Sequence, residues 1–212
     1  MLNSSGMTQI CMRRLQREYK EIIKEPIENI KIYVCPTNML LWYYCITDLD
    51  DHRYECGEYY GLIEMSPDYP LEPPSYYMYT PSGRFVPGER ICTTNSDFHL
   101  YEWKPTWTME TLFRAFLSVF LEDNSTGQIF HNHVRTTTSE KRDYAHRSKE
   151  YNKKYHSELY DIFDSNEGVI YKPPVYKPPI SAAQPKEESK PDDSQIGKIK
   201  IKLKLKSFIQ SS

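Results

Sequence analysis

Apolar residues recur at helical spacing at both ends of the first 165 residues and at strand spacing between them. Residues 9–24 place Cys11, Leu15, Tyr19 and Ile22 on one stripe and Arg13, Arg14 and Arg17 on another. Pro26 cannot continue the turn, so an amphipathic helix is predicted there. Three stretches rich in Tyr, Ile, Leu and Trp follow at 29–34, 40–47 and 58–65. Pro36-Thr37-Asn38 and Asp48-Leu49-Asp50-Asp51 punctuate them, which predicts short strands in an antiparallel meander. Tyr69-Pro70-Leu71-Glu72-Pro73-Pro74 suits neither helix nor inner strand, and 75–79 supplies a fourth strand. Residues 80–107 show no period, and an irregular stretch of that length in a compact domain usually carries function. Beyond Thr108, an N-cap residue, Met109, Leu112, Phe113, Phe116, Leu117, Phe120 and Leu121 keep helical spacing without a miss. That predicts the central core helix. A more polar helix is predicted over 140–163.

Charge changes this picture by revealing a seam. The 212 residues carry a net charge of −2, but those from Asn166 onward hold nine lysines against five acids, a net +4. The remainder, 1–165, is therefore at −6. The tail has six of the 15 prolines and only three of the 29 aromatics, too few core-forming residues to fold alone. The expected organisation is an α+β domain over 1–165 followed by a disordered basic tail over 166–212. No apolar run approaches the roughly 18 residues of a membrane span, and Met1-Leu2-Asn3-Ser4-Ser5-Gly6 is not built like a secretory signal. Five scattered cysteines, at 11, 35, 45, 56 and 92, suit a reducing compartment.

One cysteine stands where chemistry is expected. Cys11, Cys35 and Cys45 fall in or beside apolar periodic stretches, as packing thiols do, and Cys56 lies in a turn. Cys92 lies in the long irregular segment, in Gly88-Glu89-Arg90-Ile91-Cys92-Thr93-Thr94-Asn95, with His99 near in sequence. A nucleophilic thiol needs access and donors that stabilise charge on the carbonyl it attacks. His131-Asn132-His133 has the look of a metal pair, but without a Cys partner or an acidic cluster it predicts no metal site. The tail repeats a five-residue unit in Tyr171-Lys172-Pro173-Pro174-Val175-Tyr176-Lys177-Pro178-Pro179-Ile180. Pro173, Pro174 and Tyr176 match the P-P-x-Y ligand of WW domains in a polyproline-prone context. From Lys198 to Lys206 lysines alternate with apolar residues, giving an extended chain one cationic and one apolar face.

Taken together, Tyr69-Pro70-Leu71-Glu72-Pro73-Pro74, a cysteine 18 residues later, Trp103-Lys104-Pro105-Thr106-Trp107-Thr108 and a strongly apolar helix resemble the ubiquitin-conjugating enzyme family. The resemblance covers about residues 9–165 and includes the order of elements. Thr80-Pro81-Ser82-Gly83-Arg84-Phe85 and Ile91–His99 are most similar to a subgroup whose cellular members are tail-anchored at the endoplasmic reticulum. A short soluble member fits a large DNA virus, resident in host cytoplasm and nucleus. The resemblance implies that Cys92 takes ubiquitin from the activating enzyme as a thioester. It then yields ubiquitin to lysine, or to Ser/Thr hydroxyls, directly or through a ligase. It implies no cofactor, ATP being consumed upstream.

The departures define what must be found. The family places Asn ahead of the cysteine where this chain has Ser82, so Ser82 and Asn95 are the candidate donors, and Thr93 stands for the usual leucine. The acid that often orients the incoming lysine falls near Gly127, with Glu122 and Asp123 as the nearest replacements. His99 with Asp97 is the expected orienting or proton-accepting pair, or else a brace for the loop. Arg13, Arg14 and Arg17 are implied to meet the activating enzyme, and Leu71, Pro73, Pro105 and Thr106 to dock ligases, some with WW domains. Trp103 and Trp107 read as core braces. Two other readings stay open. One is a non-catalytic module that binds ubiquitin or a ligase; the other is a nucleic-acid-associated protein acting through its basic tail.

Overall fold

A computed structural model describes residues 6–122 and 133–174. Helix α1 (Gln9–Lys24) starts at Thr8, whose side chain accepts from the Cys11 amide at 3.2 Å and so satisfies a donor the first turn leaves open. Its buried stripe is Cys11, Leu15, Glu18 and Ile22, while Tyr19 packs edge-on against Trp42. Strands β1 (Ile30–Val34), β2 (Leu41–Ile46), β3 (Tyr59–Glu64) and β4 (Ser75–Met78) form one antiparallel sheet in the order β1-β2-β3-β4. The expected meander is present at the expected places. In its register Ile32 faces Tyr44, Tyr44 faces Gly61 and Gly61 faces Met78. Gly61 is required there: the Tyr44 ring crosses it to donate to the Tyr77 carbonyl at 2.8 Å, and a Cβ would collide with both.

Helix α2 (Met109–Leu121) lies across the sheet and buries Met109, Leu112, Phe113, Phe116 and Phe120. Phe116 stacks on Tyr76 at 5.2 Å and on Phe85 at 5.8 Å, and it meets Tyr44 edge-on, so aromatic rings dominate this core. The start of α2 is tied to α1 by Glu18, only 1 % exposed, an acid inside the apolar stripe. Its carboxylate accepts from Tyr69 Oη at 2.9 Å and from the Met109 amide at 3.0 Å, and it pairs with the Arg14 guanidinium. A carboxylate on the first amide of a helix answers both the open N–H and the helix dipole. Removing it leaves Arg14 and that amide without their buried partner. Glu18→Ala is therefore expected to cost about 3 kcal/mol in urea unfolding. Glu18→Gln, which keeps the neutral hydrogen bonds, should cost less, and an Ala variant within about 0.5 kcal/mol of wild type would refute the role.

The predicted polar helix over 140–163 is two helices, α3 (Thr138–Tyr155) and α4 (Ser157–Ser165). A Thr137–Glu140 capping box opens α3. His156 leaves helical geometry at φ −135° and ψ 46°, with its ring stacked on Tyr79 at 5.5 Å. That break swings α4 onto the outer sheet face, where Phe163 packs with Cys45 and Tyr60. Both faces of the sheet are thus covered, which is why five of the six β3 residues are buried. Asn152, fully buried on α3, accepts from Thr80 Oγ1 at 2.5 Å and donates to the Glu58 carbonyl at 2.8 Å. It ties α3 to the start of the irregular segment.

The chain stays with the domain past residue 165. Ile170 exchanges two backbone hydrogen bonds with Ile32, at 2.9 and 2.8 Å, and Tyr171 Oη reaches the Asp48 carboxylate. Residues 6–122 and 133–174 belong to one compact unit that ends at Pro174. Of the basic tail expected over 166–212, the first nine residues are thus part of the described chain, and the rest, with Tyr176 and the 198–206 lysines, lies outside the described residues.

Candidate active site

The segment after β4 is shaped by small polar residues. Thr80 Oγ1 accepts from the Tyr60 amide at 2.9 Å, and Ser82 Oγ accepts from the Arg84 amide at 3.2 Å. Gly83 takes φ +73°, a conformation glycine adopts without strain, and its carbonyl accepts from Thr136 Oγ1 at 2.6 Å. Buried Arg84 donates to the Val119 carbonyl from Nε at 3.1 Å and Nη2 at 2.8 Å, which satisfies a carbonyl in the last turn of α2. Ser82 thus takes part in a turn braced from α2, and Glu122, 61 % exposed, lies 4.0 Å from Arg84. Asp123 lies outside the described residues.

Cys92 leaves a short extended run in which Ile91 donates to the Tyr76 carbonyl at 2.8 Å. Three successive turns then wind the chain back. Ser96 donates to the Thr93 carbonyl, His99 to that of Ser96 and Glu102 to that of His99, each at 3.0 Å. The winding brings His99 Nε2 within 3.1 Å of Cys92 Sγ, seven residues away in sequence. The cysteine is 7 % exposed, so the thiol lies in a recess rather than on an open loop. On the other edge of the imidazole, His99 Nδ1 faces Glu102 Oε1 at 3.8 Å. A thiol against an imidazole whose far nitrogen faces a carboxylate can pass a proton from sulfur to nitrogen and hold the resulting cation.

Asp97 takes a different place from the one expected beside His99. It pairs with Arg90, accepts from Ser75 Oγ at 2.6 Å, and its amide donates to the Pro74 carbonyl at 3.2 Å. It braces the loop against β4, and the acid on the imidazole is Glu102. Asn95 is buried; its Oδ1 accepts from Thr93 Oγ1 at 2.8 Å, and its Nδ2 has no acceptor among the described residues. Thr93, in place of leucine, is the residue that holds that amide.

His133, weighed in the sequence only as half of a metal pair, lies beside the same cysteine. Its Nε2 is 3.2 Å from the Cys92 carbonyl oxygen, and its ring meets Phe85 edge-on at 4.9 Å. Burial, and then the charge of Arg84, hold its pKa down to about 4. His131 lies outside the described residues, and among those described no three His, Cys, Asp or Glu groups converge as a metal site requires. Other thiols differ. Burial pushes Cys11 up to about 11 and Cys45 well above its ordinary value, whereas the Thr37 hydroxyl lowers Cys35.

The expected docking residues separate by exposure. Arg13 and Arg17 stand on the outer face of α1, but Arg14, 17 % exposed, turns inward to Glu18 and the Trp107 carbonyl. Leu71, 66 % exposed, Pro105 and Thr106 are open to a partner, while Pro73 is buried. Trp103 joins the two loops by donating to the Pro70 carbonyl at 2.9 Å. Pro173 is exposed and Pro174 half-buried at the end of the described chain. No described helix is long and apolar enough to cross a membrane.

The family model for ubiquitin-conjugating enzymes matches residues 14–152, the span that holds Cys92, His99, Glu102 and His133. A ubiquitin-conjugating enzyme E2 J2-like protein of Dictyostelium discoideum is 42 % identical over 147 residues, 69 % of this chain and 84 % of its own length. Ubiquitin-conjugating enzyme E2 6 of Schizosaccharomyces pombe is 38 % identical over 141 residues, 66 % of this chain and 60 % of its own length. Among solved structures, human ubiquitin-conjugating enzyme E2 G1 aligns with a TM-score of 0.45 at 23 % identity, over 51 % of this chain and 93 % of that one. With a family match over well more than half its length, this chain belongs to the ubiquitin-conjugating enzyme family.

Proposed function

We propose that Cys92 accepts the C-terminus of ubiquitin from the activating enzyme and transfers it to substrate lysines, with Ser/Thr hydroxyls as further acceptors. The observation that carries this is the 3.1 Å approach of Cys92 Sγ to His99 Nε2, brought together across seven residues by successive turns of the loop. In charging, the Cys92 thiol gives its proton to His99 and the thiolate attacks the activating enzyme's thioester. A new S–C bond forms, the old one breaks, and the departing thiolate takes up the proton. In transfer, an amine or hydroxyl attacks the Cys92 thioester, Cys92 leaves as thiolate, and His99 accepts the proton the nucleophile loses. The buried Asn95 amide suits the oxyanion that develops on the way.

Partners follow from the surfaces. Exposed Arg13 and Arg17 suit the activating enzyme, and Leu71, Pro105 and Thr106 suit a ligase. The likeness to a J2-like and a type 6 enzyme supports placing the chain in that subgroup. The Pro173-Pro174-Val175-Tyr176 run adds a WW-bearing ligase as a partner; a WW module should retain the tail peptide and lose it on Tyr176→Ala. The central test mixes the full chain with activating enzyme, ubiquitin and ATP, then separates it with and without thiol reductant. A reductant-labile band one ubiquitin heavier is expected, and its absence from folded protein would refute the reading.

A further inference from the structure

Two imidazoles flank the nucleophile, one at its sulfur and one at its main chain. His99 meets Sγ, whereas His133 meets the main-chain carbonyl of the same residue at 3.2 Å. A carbonyl oxygen can only accept, so His133 must carry its proton on Nε2 and donate. The approach is built from the backbone outward. Val134 donates to the Arg84 carbonyl at 2.9 Å, Thr136 Oγ1 to that of Gly83 at 2.6 Å, and His133 bridges antiparallel to Phe85. That short ladder lays the ring of His133 against Phe85, itself buried against Phe116 and Phe120. The far end of the chain of contacts is thus the rigid core of α2.

We propose that His133 is a positioning residue: its hydrogen bond to the Cys92 carbonyl fixes the main chain that aims Sγ at His99. The assignment rests on Cys92 being the ubiquitin acceptor. The loop that carries Cys92 has no regular ladder beyond Ile91, so the direction of its Cα–Cβ bond depends on isolated contacts. A shift of about 1 Å at a reacting atom can cost on the order of a hundredfold in rate. His133 suits this task because burial and Arg84 disfavour its protonation, with a pKa of about 4. It remains a neutral, single-tautomer donor at neutral pH and does not compete with His99 for the thiol proton. The two histidines divide the work between geometry and proton transfer.

The test uses the full chain with two substitutions. His133→Phe keeps a ring against Phe85 and loses the donor; His133→Gln keeps an N–H at similar reach. For thioester formation, His133→Phe should lower kcat by about five- to a hundredfold. KM for the activating enzyme should stay unchanged, since the α1 surface is untouched, and His133→Gln should recover most of the rate. A folded His133→Phe protein with wild-type kcat would overturn the assignment. Nitrogen-15 NMR of the wild-type imidazole decides the matter even where the Phe variant fails to fold. The Nε2–H tautomer is expected at pH 7, and an Nδ1–H tautomer or an imidazolium would overturn the assignment. Failure of the wild-type chain to form any thioester would instead refute the role of Cys92, and the tautomer would still report on this contact.

Discussion

Cys92→Ser is expected to turn the reductant-labile ubiquitin conjugate into one that survives thiol reductant but is cleaved by hydroxide, and Cys92→Ala to abolish it. The serine hydroxyl would occupy the place of Sγ, where His99 Nε2 lies 3.1 Å from sulfur in the wild type. An imidazole at that range can take the hydroxyl proton, so the acyl group is captured as an ester. An ester is far less activated than a thioester toward amines, so ubiquitin should then stay on the Cys92→Ser protein rather than pass to lysine. The other cysteines supply the control. Cys11 and Cys45 are buried, with thiols that burial keeps protonated. Replacing either should lower the unfolding midpoint and leave charging of the folded fraction intact. Charging that survives Cys92→Ala but disappears on Cys56→Ala, at the exposed turn thiol, would place the acceptor elsewhere.

His99→Ala is expected to separate the two kinds of acceptor. A lysine amine that has already lost its proton to solvent attacks a thioester without help, whereas a hydroxyl must surrender its proton as the bond forms. General-base assistance of that kind contributes on the order of 10²–10⁴-fold. With thioester formed in advance, discharge to free serine should fall by about a hundredfold or more, and discharge to free lysine by about tenfold or less. Single-turnover gels at fixed pH read both rates. Equal losses for the two acceptors would show that His99 braces the loop rather than moving a proton. Glu102, 3.8 Å from Nδ1 and held there by the 99–102 turn, should show the same split at smaller amplitude in Glu102→Gln.

Much of the fold was legible because its elements announce themselves locally. The seven apolar positions of α2 keep helical spacing, Thr108 caps it, and turn residues bracket each strand. What was not legible depended on partners distant in sequence. The break at His156 is fixed by Tyr79, 77 residues earlier, and a polar helix offers too few apolar positions to reveal it. Arg14 looked like one of three surface cations because its acid, Glu18, sits within an apolar stripe where no charge was sought. Ile170 lies in the three-residue run Val169-Ile170-Tyr171 ahead of lysines and prolines, too short to show a period, so its pairing with Ile32 left no pattern.

The site divides in the same way. Cys92, His99 and Asn95 fall within one short run whose residue types suggest their chemistry. Asp97 and Glu102 flank His99 at nearly equal distance in sequence, and only the backbone turns decide that Glu102 faces the ring while Asp97 faces Arg90. His133 is 41 residues from Cys92 and reaches it through the Gly83–Phe85 ladder. The one available cue, a His-x-His pair, pointed to metal chemistry and away from a main-chain donor.

The coverage of the sheet on both faces sets a gradient of opening across the molecule. β3 is paired on both edges and packed above and below, so its amides can meet solvent only when the whole domain unfolds. The turns over 93–102 are closed mostly by single hydrogen bonds and carry exposed Phe98, Leu100 and Tyr101. They can open in sub-global steps while the sheet remains closed. A recessed thiol therefore does not require a loosely folded enzyme: the recess and the fold exchange with solvent on separate free-energy scales.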